Sequence, residues 1–494
     1  MQHRFLLPVL CLAACHGPRV FAQVQTPAPL PAAPSPPVIE IPDYPGAVWE
    51  PAVRGNFRRG DRPTSRRIDR VVIHDIEGSA LSAVRWFQDP KARVSSHYVV
   101  SGESGKVWQM VKERDVAYHA GDADTNARSV GIEHEGFAYR PGFYDTTLYE
   151  ASADLVREVT ARYAIPRDRT HIIGHFEVPD PANPGQFGGR SHHTDPGPYW
   201  DWDSFLTLVR SDARSQILGA PPAALHPGET ATITAAATNL GDDPWPVVPP
   251  DGEGGRIALT KREPVYLGVW PPPAQIDAPV SLRSAAWTSP RLVCLPAGSA
   301  DITPGAVGTF AFTIQAPPAA STLPVTQTFR LMRVPAAPRP MVGFGPVLPL
   351  TVRVEPWEII ATNRPAAGGA FTTGDGWGQS GTVFWNKRTA AAATAAQWTT
   401  TLPLAGSWDV YVRWPAARGR SARAVYEIAA ADGAHTRTLD QRKPSGPWHR
   451  LGRYPFRDAA TKTPIASIRL SGQGPGVVVA DSVRFVGPFA PEDK

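Results

Sequence analysis

The sequence predicts a multidomain chain: one α/β domain, a mixed β-sheet flanked by helices, followed by two all-β sandwich domains. Three observations carry this. A chain of 494 residues exceeds a single core, and at ~150 residues per domain it makes about three. As far as Leu218, β-branched apolar runs are interspersed with apolar residues at helical spacing. Beyond Leu218 the pattern has period two, and Pro 54 and Gly 43 supply the turns that short strands need.

The N-terminus reads as an export signal over 1–22. Met1-Gln2-His3-Arg4 is a short basic stretch, and Phe5 to Ala14 is an apolar run too short to span a bilayer permanently. Val20-Phe21-Ala22 suits ordinary signal peptidase, whereas Leu12-Ala13-Ala14-Cys15 resembles a bacterial lipobox that would leave Cys15 lipid-modified. Both cleavages stay open. The expected location is the periplasm, the outer envelope or the medium, with a lipid anchor as the one membrane tether. Residues 23–47 are rich in Pro and Ala and nearly uncharged, as in a semi-extended spacer.

The first globular domain is expected over 48–218. Ile68 to His74 reads as a strand. Ala80, Ala83, Val84 and Phe87 lie at helical spacing ahead of Pro90. His97 to Val100, Gly105 to Met110 and Val130 to Glu133 read as strands, with Ser104-Gly105 as a turn. Leu148, Ala151, Leu155, Val159 and Tyr163 form a helical face, capped by Thr146 or Thr147. Asp203 to Val209 makes a short closing helix.

Gly228 to Thr234, Val307 to Ile314 and Thr326 to Val334 alternate with period two, which predicts a sandwich over 220–355. Strand patterns such as Ser407 to Trp414 and Val477 to Phe485 predict a second over 357–488. An exported chain whose one cysteine past the signal is Cys294 has no internal disulfide framework. Cys294 reads as a small buried apolar residue. The net charge of +5 comes without a Lys/Arg block or a basic aromatic face, so nucleic acid is not an expected partner.

The chemistry centres on two strand-end histidines. Val71-Val72-Ile73-His74 and Ile172-Ile173-Gly174-His175 each end an apolar run on an imidazole, and a glycine- and proline-rich loop then leads to Asp195. Two imidazoles and one carboxylate make the donor set of a catalytic zinc site, with a fourth position left for water. A histidine of this kind taken singly is more often a hydrogen-bonded structural one. Glu177 and Asp180 compete with Asp195 as third ligand.

Six stretches lie in one order: Val72-Ile73-His74, Ser96-His97-Tyr98, Tyr118-His119-Ala120-Gly121, Ser129-Val130-Gly131-Ile132-Glu133, Gly174-His175 and Thr194-Asp195-Pro196-Gly197. Through them residues 48–215 resemble the type-2 N-acetylmuramoyl-L-alanine amidases, kin to the peptidoglycan recognition proteins. The resemblance implies Zn2+ on His74, His175 and Asp195, with peptidoglycan or a muropeptide as substrate. It implies Glu133 as the group that takes the proton of water, since the alternative tyrosine of some relatives falls near Ser96. Glu135, on the same face, reads as a strand-end glutamate. His193 stands where several relatives carry lysine and would steady an oxyanion. His119 and Asn126 either line the groove and meet sugar or peptide, or hold the loop by hydrogen bonds. The twenty positions from His175 to Asp195 are longer than in many relatives, so residues 180–189 read as an inserted loop.

Residues 220–355, with Trp245, Trp270 and Trp287, resemble Ig-like modules named for four central tryptophans. Residues 357–488 resemble the golvesin C-terminal domain through Gly381 to Trp385, Tyr411 to Pro415, Gly446-Pro447-Trp448 and Ala480 to Val483. Such modules imply an envelope polysaccharide partner if their tryptophans are exposed, and spacers if the tryptophans are core. The expected function is peptidoglycan amidase. The alternative is a non-catalytic peptidoglycan-binding or adhesion protein of the envelope.

Overall fold

The computed structural model describes residues 41–179, 193–247, 263–270, 281–335, 341–363, 369–373, 377–380, 383–386, 395–457, 464–472 and 475–490. The expected signal, the Cys15 lipobox, most of the spacer and the 180–189 insertion lie outside them. The chain divides into two units, Met1–Ile41 and Pro42–Lys494, and the second holds everything that follows.

The first domain is built on a six-stranded sheet in the order Ala47–Trp49, Val107–Gln109, Tyr98–Val100, Ser129–His134, Arg70–Asp75, Ile172–Gly174. Tyr98–Val100 and Val107–Gln109 are antiparallel and the remaining neighbours parallel, the mixed sheet that the sequence predicts. Alternation sorts each strand. Val71, Ile73, Tyr98, Ile132 and Ile172 face one core. It is closed by α3 (Thr146–Tyr163) and α4 (Trp202–Arg210). Each large aliphatic side chain buried there contributes about 1.5–3 kcal/mol. On the opposite face, Val99 packs under α1 (Ala80–Gln88), which buries Ala80, Ala83, Val84 and Phe87 as its spacing predicts. Val72 and Ile173 share that second face. His74 and Glu133 follow them by parity and sit in register. The helix Ala123–Arg128 (α2), capped by Asp122, is too short to leave a periodic trace in the sequence.

Three expectations need adjusting. The cap of α3 is Asp145, whose carboxylate accepts from Leu148 N; Thr146 and Thr147 lie inside the helix. The end of the expected spacer is pinned to the sheet: Asp43 Oδ2 accepts from Gln109 Nε2 at 2.6 Å and from Glu113 N at 2.8 Å. Ala213–Leu218, grouped by sequence with the first domain, pairs instead with Thr230–Asn239.

That pairing belongs to the first sandwich. A three-stranded sheet (Val307–Gln315, Thr230–Asn239, Ala213–Leu218) faces a five-stranded one (Ala224–Leu225, Val342–Val354, Val325–Arg333, Val265–Val269, Leu292–Cys294). The last domain has sheets of four, five and three strands over 357–489 among the described residues. Trp245, Trp287, Trp398, Trp408 and Trp414 are all core residues, so burial explains them. Cys294 packs against the same core as Trp245, and burial pushes its thiol up to about 12.

The first two domains are docked. Glu150 of α3 receives Arg330 Nη1 at 2.6 Å and Gly343 N at 3.2 Å. Val342 completes the core under α3. Among the described residues no helix is long and apolar enough to cross a membrane.

Candidate metal centre

Sheet geometry delivers the first two donors. His74 is the fifth residue of Arg70–Asp75, and His175 begins a short 3-10 turn directly after Ile172–Gly174, the neighbouring strand. Asp195 arrives on a loop, tied back through Phe176 N to its own carbonyl at 3.2 Å. Gly197 allows this approach. Its φ is +87°, and a Cβ there would stand 2.3 Å from Ala138 O, so no other residue fits. Tyr144 Oη lies 2.8 Å from both Pro196 O and Asp75 Oδ2 and braces the same loop from below.

The three donors meet. His74 Nδ1 is 3.1 Å from Asp195 Oδ2, His175 Nδ1 is 3.2 Å from the same carboxylate, and all three donor atoms lie within 4.8 Å of one another. Tetrahedral ligands ~2.0–2.1 Å from zinc stand about 3.3 Å apart, close to these spacings. Glu177, the described rival for third ligand, is engaged elsewhere: it accepts from Gly174 N at 2.8 Å and Arg169 Nη2 at 2.6 Å. Asp180, the other rival, falls outside the described residues.

A proton relay fixes which nitrogen of His74 is free. Ser129 Oγ donates to Thr125 O at 2.6 Å, so its lone pair accepts from His119 Nε2 at 3.0 Å. His119 Nδ1 is then bare and accepts from His74 Nε2 at 2.9 Å. His74 Nδ1 is left as a lone pair, and it faces a carboxylate oxygen. Two acceptors 3.1 Å apart in a buried place repel unless a cation lies between them. Charge states agree. Burial, then His175, pulls His74 down to about 4, so it is neutral at ordinary pH. Burial works against the Asp195 charge, but His175 beside it outweighs burial and the carboxyl is held far below the usual carboxylate range. Neutral imidazoles and an ionised carboxylate are what zinc binds, and the residues fit the ion.

Glu133 lines the same cavity, of about 440 Å³, with His74, Asp75, Tyr118, His119, His175, His193 and Asp195. Burial first, then the charges of Asp195 and Asp75, lift its carboxyl well above the usual range, which makes it the stronger base once ionised. Glu135 serves the fold instead, accepting from Ala80 N at the start of α1 at 3.2 Å and from Ser101 and Gly102 at 2.8 and 2.9 Å. His193 stacks on His175 with ring centroids 3.7 Å apart.

Of the two expected substrate contacts, His119 borders the cavity but has both ring nitrogens engaged in the relay. Asn126 corrects the expectation of a substrate contact. It is absent from the cavity wall, and its Oδ1 accepts from His119 N at 3.0 Å and Ala120 N at 2.9 Å, which holds the loop that carries His119.

The residues not anticipated from sequence are Asp75, Ser129 and Tyr144. Asp75 follows a ligand directly, and Ser129 opens the stretch ending in Glu133, so both had a positional signal. Tyr144 had none.

The family model of N-acetylmuramoyl-L-alanine amidase matches residues 64–198, which contain every residue of this site. N-acetylmuramoyl-L-alanine amidase A of Achromobacter lyticus is 32% identical over 179 residues, covering 34% of this chain and 95% of that protein. The chain belongs to the N-acetylmuramoyl-L-alanine amidase family. The amidase AmiD of Escherichia coli is 26% identical over 176 residues, 32% of this chain and 59% of its own. Among solved structures, the catalytic domain of XlyA covers 33% of this chain and 98% of its own at 19% identity, with a TM-score of 0.25. The golvesin C-terminal domain model matches residues 360–487 of this amidase.

Proposed function

We propose that the protein is a zinc-dependent peptidoglycan amidase that hydrolyses the amide between N-acetylmuramic acid and the L-alanine of the stem peptide. The observation that carries the zinc is the bare Nδ1 of His74 facing the Asp195 carboxylate, with His175 Nδ1 beside them. His74, His175 and Asp195 would hold the ion. When bound, zinc supplies Lewis acidity, lowering the pKa of water toward ~7 and polarising the scissile carbonyl.

The chain's own residues do the rest. Ser129 and His119 hold His74 in the tautomer that presents Nδ1. Glu133, in register with His74, takes the proton of the attacking water and passes it to the leaving amine of L-alanine. His193, stacked on His175, offers a ring N–H to the oxygen that gains charge. Tyr144 keeps the Asp195 loop in place through Pro196 O.

The alternative is a peptidoglycan binder without turnover. The intact donor set and the base in register with it favour the enzyme. Mass spectrometry of a defined muropeptide decides between them. A free L-alanine amino terminus and an intact muramic acid are expected, with both lost in Glu133→Gln. Unaltered muropeptide with retained binding would favour the binder. We also propose an envelope location, supported by the basic and apolar N-terminal sequence; for the β domains the core placement of Trp245, Trp287, Trp398, Trp408 and Trp414 favours spacers over polysaccharide binding.

A further inference from the structure

The catalytic cavity does not end at the metal ligands. A second lobe of about 450 Å³ is lined by Asp75, Ile76, Ser82, Ala83, Trp86, Phe87, Val94 and Glu133. It shares Asp75, Phe87, Val94 and Glu133 with the lobe that contains the histidines. Glu133 therefore sits where the two lobes meet, and a substrate with its amide at Glu133 must extend into both.

The lobes differ in chemistry. The second has an aromatic wall from α1 and aliphatic cover from Ile76 and Val94 on either side of it; Trp86 is 51% exposed and Val94 40% exposed, although α1 buries its other apolar face against the sheet. The floor of this lobe is acidic, from Asp75 and Glu133. An indole face beside carboxylates suits a neutral polyhydroxylated ring: C–H groups lie on the negative π face, and hydroxyls donate to the carboxylates. The histidine lobe shares Asp75 and Glu133 and adds Glu77 and Asp195; what sets it apart is a polar wall of Ser95, Tyr118, Thr194 and His193, groups that hydrogen-bond a peptide backbone. A lobe of this volume suits a ligand of monosaccharide size.

We propose that the lobe walled by Trp86 and Phe87 holds the pyranose ring of the N-acetylmuramoyl group, with Trp86 as its stacking platform; this rests on the amidase reading above. The stem peptide then runs the other way, past Tyr118 and Thr194. Trp86 contributes binding to the sugar side of the scissile bond and takes no part in proton transfer.

The test uses the full chain, wild type, Trp86→Ala and Trp86→Phe, and two substrates with one stem peptide. One is the N-acetylmuramoyl-peptide. The other is the D-lactoyl-peptide, which keeps the same amide and lacks the ring. Trp86→Ala is expected to lower kcat/KM on the first by about ten-fold and leave the second unchanged, with Trp86→Phe retaining most of the activity. Equal loss on both substrates, or no loss on the sugar-bearing one, overturns the assignment. Calorimetric titration with methyl N-acetylmuramide reads the same site without turnover. Sugar binding that Trp86→Ala abolishes supports the subsite even if neither substrate is cut, an outcome that refutes the amidase reading alone. Sugar affinity unchanged by Trp86→Ala refutes the subsite even if cleavage is normal.

Discussion

Gly131→Ala tests how the metal centre is built. Gly131 lies on the site face of its strand, beneath the His119 ring. A Cβ there would stand 2.5, 2.6 and 2.7 Å from three atoms of that imidazole, where ordinary contact begins at 3.4 Å. The ring cannot tilt away freely, because Ser129 Oγ at 3.0 Å and His74 Nε2 at 2.9 Å hold its two nitrogens. It must retreat by most of an ångström, which breaks one bond or both. Overpacking of this kind costs about 1–3 kcal/mol of stability. Loss of the partner that orients a ligating histidine weakens metal binding by about 10–100-fold. The assay is zinc competition against a chromophoric chelator on the refolded variant, with a thermal melt of the metal-free protein alongside. A folded variant with a lower melting temperature and weaker zinc binding is expected. A folded Gly131→Ala protein that binds zinc as tightly as wild type would refute the orienting role of His119.

Other outcomes follow from single contacts. Ser129→Ala removes the acceptor that sets the His119 tautomer and is expected to weaken zinc by about ten-fold in the same competition assay, with little change in fold by circular dichroism. Asn126→Ala strands two buried backbone N–H groups at about 1–3 kcal/mol each; calorimetry should show a lower melting temperature, while titration shows unchanged substrate affinity. Glu150→Ala leaves Arg330 buried without its partner and is expected to cost about 3–5 kcal/mol, read as separate melting of the first two domains. In the last domain burial works against the Asp409 charge, but Arg453 and Arg450 outweigh it and hold the carboxyl below the usual range. Its stabilisation is therefore complete above about pH 4, the unfolded value, and is lost as pH falls further toward the lowered folded value. Asp409→Asn should flatten that acid limb in denaturant titrations.

The fold class was legible because the patterns behind it are periodic. The face of α1 and the strand ending at His74 could be read directly from the spacing of their apolar residues. The cap of α3 and the exact start of the first sandwich could not. Asp145 caps as well as Thr146 would, and the strand Ala213–Leu218 declares its partner only across the loop that separates it from Thr230–Asn239. His74, His175 and Asp195 were legible as a set because two apolar strands end on histidines. What they do with their second nitrogens was not, since the Ser129–His119–His74 relay joins separate strands and loops and depends on distances. Asn126 shows the limit most plainly. It stands in the same motif region as His119, and only its two backbone partners separate a loop clamp from a substrate contact. Tyr144 and Trp86 reach the site by tertiary packing, beside Pro196 and beside Glu133, and nothing in their own neighbourhoods marks them.

The central claim is that cleavage of the muramoyl–alanine bond depends on an ion held by His74, His175 and Asp195. The most direct measurement is the release of new L-alanine amino termini from purified muropeptide before chelation, after chelation and after zinc is restored, with Asp195→Ala alongside. The expected result is release that disappears on chelation, returns with zinc and stays at background in the variant. Release that continues in chelator, or that is undiminished in Asp195→Ala, would contradict it.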